Sequence, residues 1–191
     1  MLKRTHTCGE LNQARIGDTV VLNGWVNTRR DHGGLIFIDL RDRYGLTQIV
    51  FEPDAGDALM ETAKSLRNEY VIGVRGVVTP RLAGKENPNL ATGAIEVRVK
   101  ELEIFNEALT PPFDIQDGDA NEELRLKHRY LDLRRPDLQR VFILRHKMAQ
   151  VMRSVMSENG FLEIETPMLG RSTPEGARDF HHRRRRAACP F

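Results

Sequence analysis

From Asp18 to about Phe51 apolar and polar residues alternate with a period of two, in stretches rich in β-branched and aromatic side chains. That period is the mark of strands with one buried face. Thr19 to Thr28 reads as a first strand, Leu35 to Asp42 as a second and Leu46 to Phe51 as a third, with turn residues at His32-Gly33-Gly34 and Arg43-Tyr44-Gly45. The spacing changes at Asp57 to Arg67, where Leu59, Met60, Ala63 and Leu66 recur at helical steps and predict a short amphipathic helix. Strand pattern returns at Glu69 to Pro80 and again at Ile95 to Phe105, where Ile95, Val97 and Val99 alternate with Glu96, Arg98 and Lys100.

This order of three strands, a helix and two strands fits a Greek-key β-barrel of the OB type, whose helix falls between the third and fourth strands. An SH3-like barrel is the competing architecture, and it usually lacks that helix. Ala108 to Asp119 carries two prolines and no periodicity and reads as a linker. Beyond it, Glu122 to Arg134 predicts a charged helix stopped before Pro136. A long helix follows, with Pro136 and Asp137 in its first turn and Gly160 as its C-terminal stop. Leu138, Val141, Phe142, Met148, Val151, Met152, Val155 and Met156 recur at steps of three and four and predict one buried face for this helix. Phe161 to Thr166 alternates as a short strand, cut off by Pro167.

Composition excludes several classes. The 191 residues are 40% hydrophobic and 29% charged, as in an ordinary globular protein. No apolar run approaches the roughly 20 residues of a bilayer span, and no hydrophobic segment follows the charged N-terminus, so neither membrane insertion nor export is expected. Cys8 and Cys189 lie near opposite ends without metal or disulfide spacing, which fits a reducing cytoplasm. The formal charge of +2 depends on the arginine-rich stretch from His181 to Phe191, so net charge is no argument for nucleic acid.

The candidate chemistry lies on the barrel. On the predicted second strand Ile36, Ile38 and Leu40 share an apolar face, and the opposite face carries Leu35, Phe37, Asp39 and Arg41. A phenylalanine among charges on the outside of a barrel suits stacking of an unpaired base, worth about 1–3 kcal/mol per base. The competing role for Phe37 is packing under a loop. Arg29 and Arg30 place guanidinium groups where a backbone phosphate could sit, and Gln48 offers an amide to a base edge. Singly, surface arginines are usually solvated and a strand glutamine usually bonds a neighbour; together on one barrel these residues point to single-stranded nucleic acid. Past the linker, Glu163, Glu165 and Glu175 show no diagnostic pairing, and there is no Gly-rich phosphate loop, metal cluster or nucleophile with its base. His128 and His146 read as structural or solvent-facing helix residues. From the residues alone the chain binds rather than catalyses, with no catalytic residue and no metal site of its own.

Six segments resemble those of one family: Gly24-Trp25-Val26, Arg29-Arg30-Asp31, Ile36-Phe37-Ile38-Asp39, Arg129-Tyr130-Leu131-Asp132-Leu133-Arg134, Phe161-Leu162-Glu163-Ile164-Glu165-Thr166-Pro167 and Thr173-Pro174-Glu175-Gly176-Ala177-Arg178-Asp179-Phe180. The family is that of the bacterial aspartyl-tRNA synthetases. The fourth motif is shared with asparaginyl and lysyl relatives, whereas the last is specific to the bacterial aspartyl branch. The resemblance implies an OB-fold anticodon-binding domain over residues 1–107, a linker over 108–120, and a hinge helix with the start of an α+β class II catalytic domain over 121–180. It implies that Arg30, Phe37, Gln48 and Glu96 meet the anticodon, that Glu175 helps hold L-aspartate, and that Pro167 lies at a homodimer interface. His32 and Gly84 fall at positions linked in the family to discrimination between tRNA-Asp and tRNA-Asn. Histidine at the first tends to accompany charging of both, so the complete enzyme is expected to be non-discriminating. ATP and Mg2+ are the implied cofactors of that enzyme, which joins aspartate to tRNA through aspartyl-adenylate in the cytoplasm.

Two departures qualify the resemblance. The family's second and third signatures, whose arginines clamp ATP, are not found in these residues, so the chain is expected to be an N-terminal fragment covering about the first third of such an enzyme. As such it should keep anticodon binding, form no adenylate and bind neither ATP nor Mg2+ productively. Residues 181–191 do not resemble the family and read as a basic tail that is disordered or translated in a shifted frame; a basic nucleic-acid patch is the competing reading. A stand-alone OB-fold RNA-binding protein and the non-functional product of a damaged gene are the alternatives to the synthetase reading.

Overall fold

A computed structural model of the protein describes residues 1–115 and 120–167. Within them β1 (Thr19–His32), β2 (Leu35–Arg41), β3 (Leu46–Phe51), β4 (Val71–Pro80) and β5 (Ile95–Asn106) form a closed barrel in the order β1-β2-β3-β5-β4. The neighbours are antiparallel except β3 and β5, which run parallel. Helix α1 (Asp57–Ser65) lies between β3 and β4, as an OB barrel requires.

The alternating pattern fills the barrel. Val20, Leu22, Val26, Ile36, Ile38, Leu40, Ile49, Phe51, Ile72, Val74, Val78, Ile95 and Val97 have no exposed surface, and Met60, Ala63 and Leu66 of the α1 segment join the same core. Burial of one such aliphatic side chain is worth about 1.5–3 kcal/mol. The β1–β2 hairpin turns on Gly33 and Gly34, at φ +62° and +86°, a two-residue connection that needs left-handed backbone at both positions.

β1 extends four residues beyond Thr28, where the alternation of hydrophobic residues stops, because its backbone keeps pairing with β2: Arg29 with Ile38, Arg30 with Phe37, Asp31 with Ile36 and His32 with Leu35. His32 is thus the last residue of a strand rather than part of a loop. Within β1 the register shifts between Val26 and Thr28, leaving Asn27 as the extra residue of a bulge. Before the bulge Val26 stands opposite buried Leu40; after it Thr28 stands opposite Asp39 and Arg30 opposite Phe37. The bulge therefore changes the phase of the strand and turns Arg30 to the outer face. An unbroken period of two from Val20, Leu22 and Val26 would have carried it inward.

The segment between barrel and helices is partly packed among the described residues. Phe113 and Ile115 bury themselves with Leu131 in a second cluster, flanked by Ala120 and Leu124. The predicted helix from Glu122 to Arg134 is two shorter ones, α2 (Glu122–Lys127) and α3 (Arg129–Asp132), broken at His128, whose backbone leaves the helical region. The break accompanies complete burial of the Asp132 side chain, which pairs with Arg125, Arg129 and Arg135. This segment meets the barrel through Arg134, whose guanidinium lies 4.6 Å from the centre of the Trp25 ring and 3.6 Å from the Glu69 carboxylate. Glu69 adopts φ +67° and also receives two bonds from Nη2 of Arg41, at 2.7 and 2.8 Å, while Nη1 of Arg41 donates to Asn27 in the bulge.

The described residues divide into two units, one up to Gln139 and one from Arg140 onward. Two expectations about the helical part do not hold. Helix α4 (Pro136–Glu158) keeps its predicted spacing, yet none of its residues is buried, and Val141, Phe142, Met148, Val151, Met152, Val155 and Met156 are exposed. Spacing sets which residues share a face, but burial needs a surface to cover them, and none of the described residues does so. Phe161 to Thr166 has no strand pairing, because alternation makes a strand only where another backbone completes its hydrogen bonds.

Candidate nucleic-acid interface

The outer faces of β1, β2, β3 and β5 bring four of the expected residues together. In register, Arg30 stands opposite Phe37, and Asp39 opposite Gln48. Nη2 of Arg30 donates to both oxygens of Asp39, at 2.9 and 3.0 Å, and to Oε1 of Gln48 at 3.3 Å. Nε2 of Gln48 in turn donates to Oε2 of Glu96 at 2.9 Å. Arg30, Gln48 and Glu96 thus form one chain of bonds, with Asp39 fastened to its start. Gln48 and Glu96 are both buried. The glutamine is held by its neighbours and keeps only part of its amide for a ligand.

Phe37 is half-buried beside this chain, and the ring of His32 lies 6.4 Å from it, tilted by 58°. That is a normal separation for an aromatic pair. Between them they offer a stacking surface next to guanidinium donors and carboxylate acceptors, the two kinds of group that read the edge of an unstacked base. Gly84 stands apart. It occupies the β4–β5 loop at φ +77°, a conformation suited to glycine, with no atom within 4 Å of where a Cβ would be. No described contact joins it to the network.

Two residues given no role from sequence belong to the site. Asp39 was legible, since alternation put it beside Phe37; its grip on Arg30 follows only from strand register. Arg81 begins the loop after β4. Its Nε donates to the Ile95 carbonyl at 3.1 Å, while its buried Nη2 has no hydrogen-bond partner among the described residues. Burial lowers the Arg81 pKa, against the charges of Glu96 and Asp39. Burial raises that of the Asp39 carboxyl, partly offset by Arg30 and Arg81. Two guanidiniums and two carboxylates thus share one patch.

Pro167 is exposed and outside any regular element. Glu175 and residues 181–191 lie outside the described residues. Among the described residues no group of three or more His, Cys, Asp or Glu is placed to hold a metal ion, and no helix is long and apolar enough to cross a membrane.

Known proteins resemble both parts of the chain. Residues 20–105 match the OB-fold nucleic acid binding domain family, and residues 121–190 match the tRNA synthetases class II (D, K and N). The aspartate–tRNA(Asp/Asn) ligase of Syntrophotalea carbinolica is 56% identical over 179 residues, which is 93% of this chain and 30% of that protein. The ligase of the same name from Oleidesulfovibrio alaskensis is 58% identical over 178 residues, 93% of this chain and 29% of its own. Among solved structures, the asparaginyl-tRNA synthetase of Pyrococcus horikoshii superposes with a TM-score of 0.74 at 28% identity, covering 89% of this chain and 39% of that one. The chain spans about 30% of the length of the curated relatives it matches. The chain is thus similar to the aspartate–tRNA(Asp/Asn) ligases over nearly all of its own length, through one span that matches the OB-fold nucleic acid binding domain and a second that matches the class II tRNA synthetases (D, K and N).

Proposed function

We propose that this chain is the tRNA-reading portion of an enzyme that attaches L-aspartate to tRNA, and that the barrel face carrying Arg30, Phe37, Gln48 and Glu96 binds the anticodon loop. The observation that supports this best is the bonded chain Arg30–Gln48–Glu96 beside the Phe37 ring, since base recognition calls for stacking and edge-reading groups side by side. Phe37 stacks on a base, and the polar chain presents donors and acceptors to its edge. His32, next to Phe37, and Gly84 in the β4–β5 loop bear on which anticodon is accepted. An imidazole both donates and accepts, so His32 accommodates either pyrimidine at the base where the two anticodons differ, and tRNA-Asn is bound along with tRNA-Asp. The curated relatives named above are ligases for tRNA(Asp/Asn). In the complete enzyme Glu175 engages the amino group of aspartate, and Pro167 lies between the subunits of a homodimer in the cytoplasm. No chemical step is assigned to the described residues.

The test is binding of the 191-residue chain to an anticodon stem-loop RNA. Phe37→Ala is expected to weaken binding by about tenfold, within the range of one stacked base, without changing the dependence on salt. Unchanged affinity would return Phe37 to a packing role. The Asp and Asn stem-loops are expected to bind within a few-fold of each other, and His32→Leu to open a gap favouring the Asp loop. A strong Asp preference untouched by that substitution would remove His32 from the reading.

A further inference from the structure

The barrel face proposed to bind RNA contains an acid that RNA, a polyanion, would be expected to exclude. Asp39 lies in its centre, on the outer row of β2 between Phe37 and Arg41, with a side chain only 18% exposed. Both of its oxygens take a bond from the same nitrogen of Arg30. Gln48, its cross-strand partner, accepts from that nitrogen as well. Among the described residues Nε and Nη1 of Arg30 have no hydrogen-bond partner. The guanidinium is therefore aimed by one nitrogen while its other donors stay open.

We propose that Asp39 is a specificity-determining residue of the RNA face, neutralising Arg30 in the free barrel so that the face accepts base edges and rejects sequence-independent phosphate contacts. The inference rests on the reading of this face as RNA-binding. A base carbonyl or ring nitrogen is neutral and takes the open donors of Arg30 without opposing the carboxylate. A phosphate at the same place meets the charge of Asp39, and must either displace it or accept the repulsion. Sequence-independent binding grows with the number of cations free to release counterions, and an arginine already paired with a carboxylate adds little to that number. Arg81 and Glu96 add one further charge of each sign to the patch.

Burial also sets an electrostatic cost on Asp39. Burial raises its pKa in spite of Arg30 and Arg81, so the folded barrel holds the ionised form at some cost in stability. A neutral asparagine of the same shape would avoid that cost.

The experiment compares the 191-residue chain, Asp39→Asn and Arg30→Ala for binding to the anticodon stem-loop and to the same stem with a scrambled loop, over a series of salt concentrations. Asp39→Asn is expected to bind the scrambled loop about three- to tenfold more tightly and to steepen the salt dependence by about one released ion. The ratio of anticodon to scrambled affinity falls accordingly. Arg30→Ala is expected to weaken the anticodon loop while leaving the salt slope unchanged. Equal weakening of both RNAs by Asp39→Asn, or equal tightening with an unchanged ratio, overturns the proposal and leaves the RNA reading intact. Failure of the unsubstituted chain to bind either RNA overturns the RNA reading itself. Thermal unfolding of each variant confirms that a folded barrel is being compared.

Discussion

Two arginine–carboxylate pairs involve neighbouring positions on the outer row of β2, and they differ in what surrounds them. Arg41 and Glu69 are 11% and 10% exposed, with Asn27 and Arg134 completing their bonds and pairs. Arg30 and Asp39 are 45% and 18% exposed, with donors left open beside Phe37. The first pair is enclosed and fastens the barrel to the segment that follows it; the second is open and forms part of a binding face. The same two functional groups thus become structure in one place and recognition in the other, and access to solvent decides which. Removing one partner of an enclosed pair strands a charge in the protein, whereas an open pair gives its charge back to water.

Stability measurements can break that comparison. The largest effect is expected for Glu69→Ala, which leaves Arg41 enclosed without its carboxylate and should cost about 3 kcal/mol in urea unfolding. Glu69→Gly should cost about 1 kcal/mol less than Glu69→Ala, because glycine removes the strain of the left-handed backbone at this position. A loss below about 1 kcal/mol for Glu69→Ala would show that the Arg41 pair is no more structural than a surface one. Arg134→Ala, which removes the cation over Trp25 and a more distant partner of Glu69, is expected to cost about 1 kcal/mol. Amide exchange should then accelerate in Glu122–Asp132 before it does in the barrel strands.

Arg30→Ala is expected to change unfolding by about 1 kcal/mol, less than Glu69→Ala, since Arg30 is 45% exposed although Asp39 is mostly buried, while its RNA binding falls. A stability loss as large as that of Glu69→Ala would erase the distinction between the pairs. The smallest effect concerns pH. A carboxyl whose pKa is raised by folding subtracts stability at pH above its folded value. The deficit shrinks as acid protonates the folded form and is gone below the unfolded value, about 3.9 for aspartate. Asp39→Asn should therefore be at least as stable as the unsubstituted chain at neutral pH, and the two unfolding curves should converge as the pH falls towards 4. Convergence in the opposite direction, with the aspartate more stable at neutral pH, would mean that Arg30 outweighs burial.

Much of the fold was legible because strand and helix periods are local. Ile36, Ile38 and Leu40 could be assigned to the core from their spacing, and Phe37 to the opposite face by the same count. The helix between β3 and β4 separated an OB barrel from an SH3-like one. The candidate site was legible in its membership but not in its wiring. Gln48 and Glu96 lie on strands far apart in the chain, and no local pattern shows that the amide of one is spent on the carboxylate of the other. Arg81 gave no periodic signal at all, standing at the start of a loop. Where pattern misled, it did so for want of a partner: the α4 stripe and the alternation of Phe161 to Thr166 describe faces suited to burial or pairing, and neither face is covered or paired among the described residues.

The sequence by itself determined the periods, the order of the elements and the residue types on each strand, because these follow from backbone geometry over a few neighbouring residues. Tertiary structure alone decided the phase of β1. The bulge at Asn27 arises from pairing with β2, and without it Arg30 would share the inward face of Val26. Only cross-strand register set Asp39 against Arg30 and Gln48, and only the approach of Glu69 and Arg134 enclosed Arg41. Such pairings depend on contacts between residues distant in the chain, and their free energy exists only once the barrel has closed.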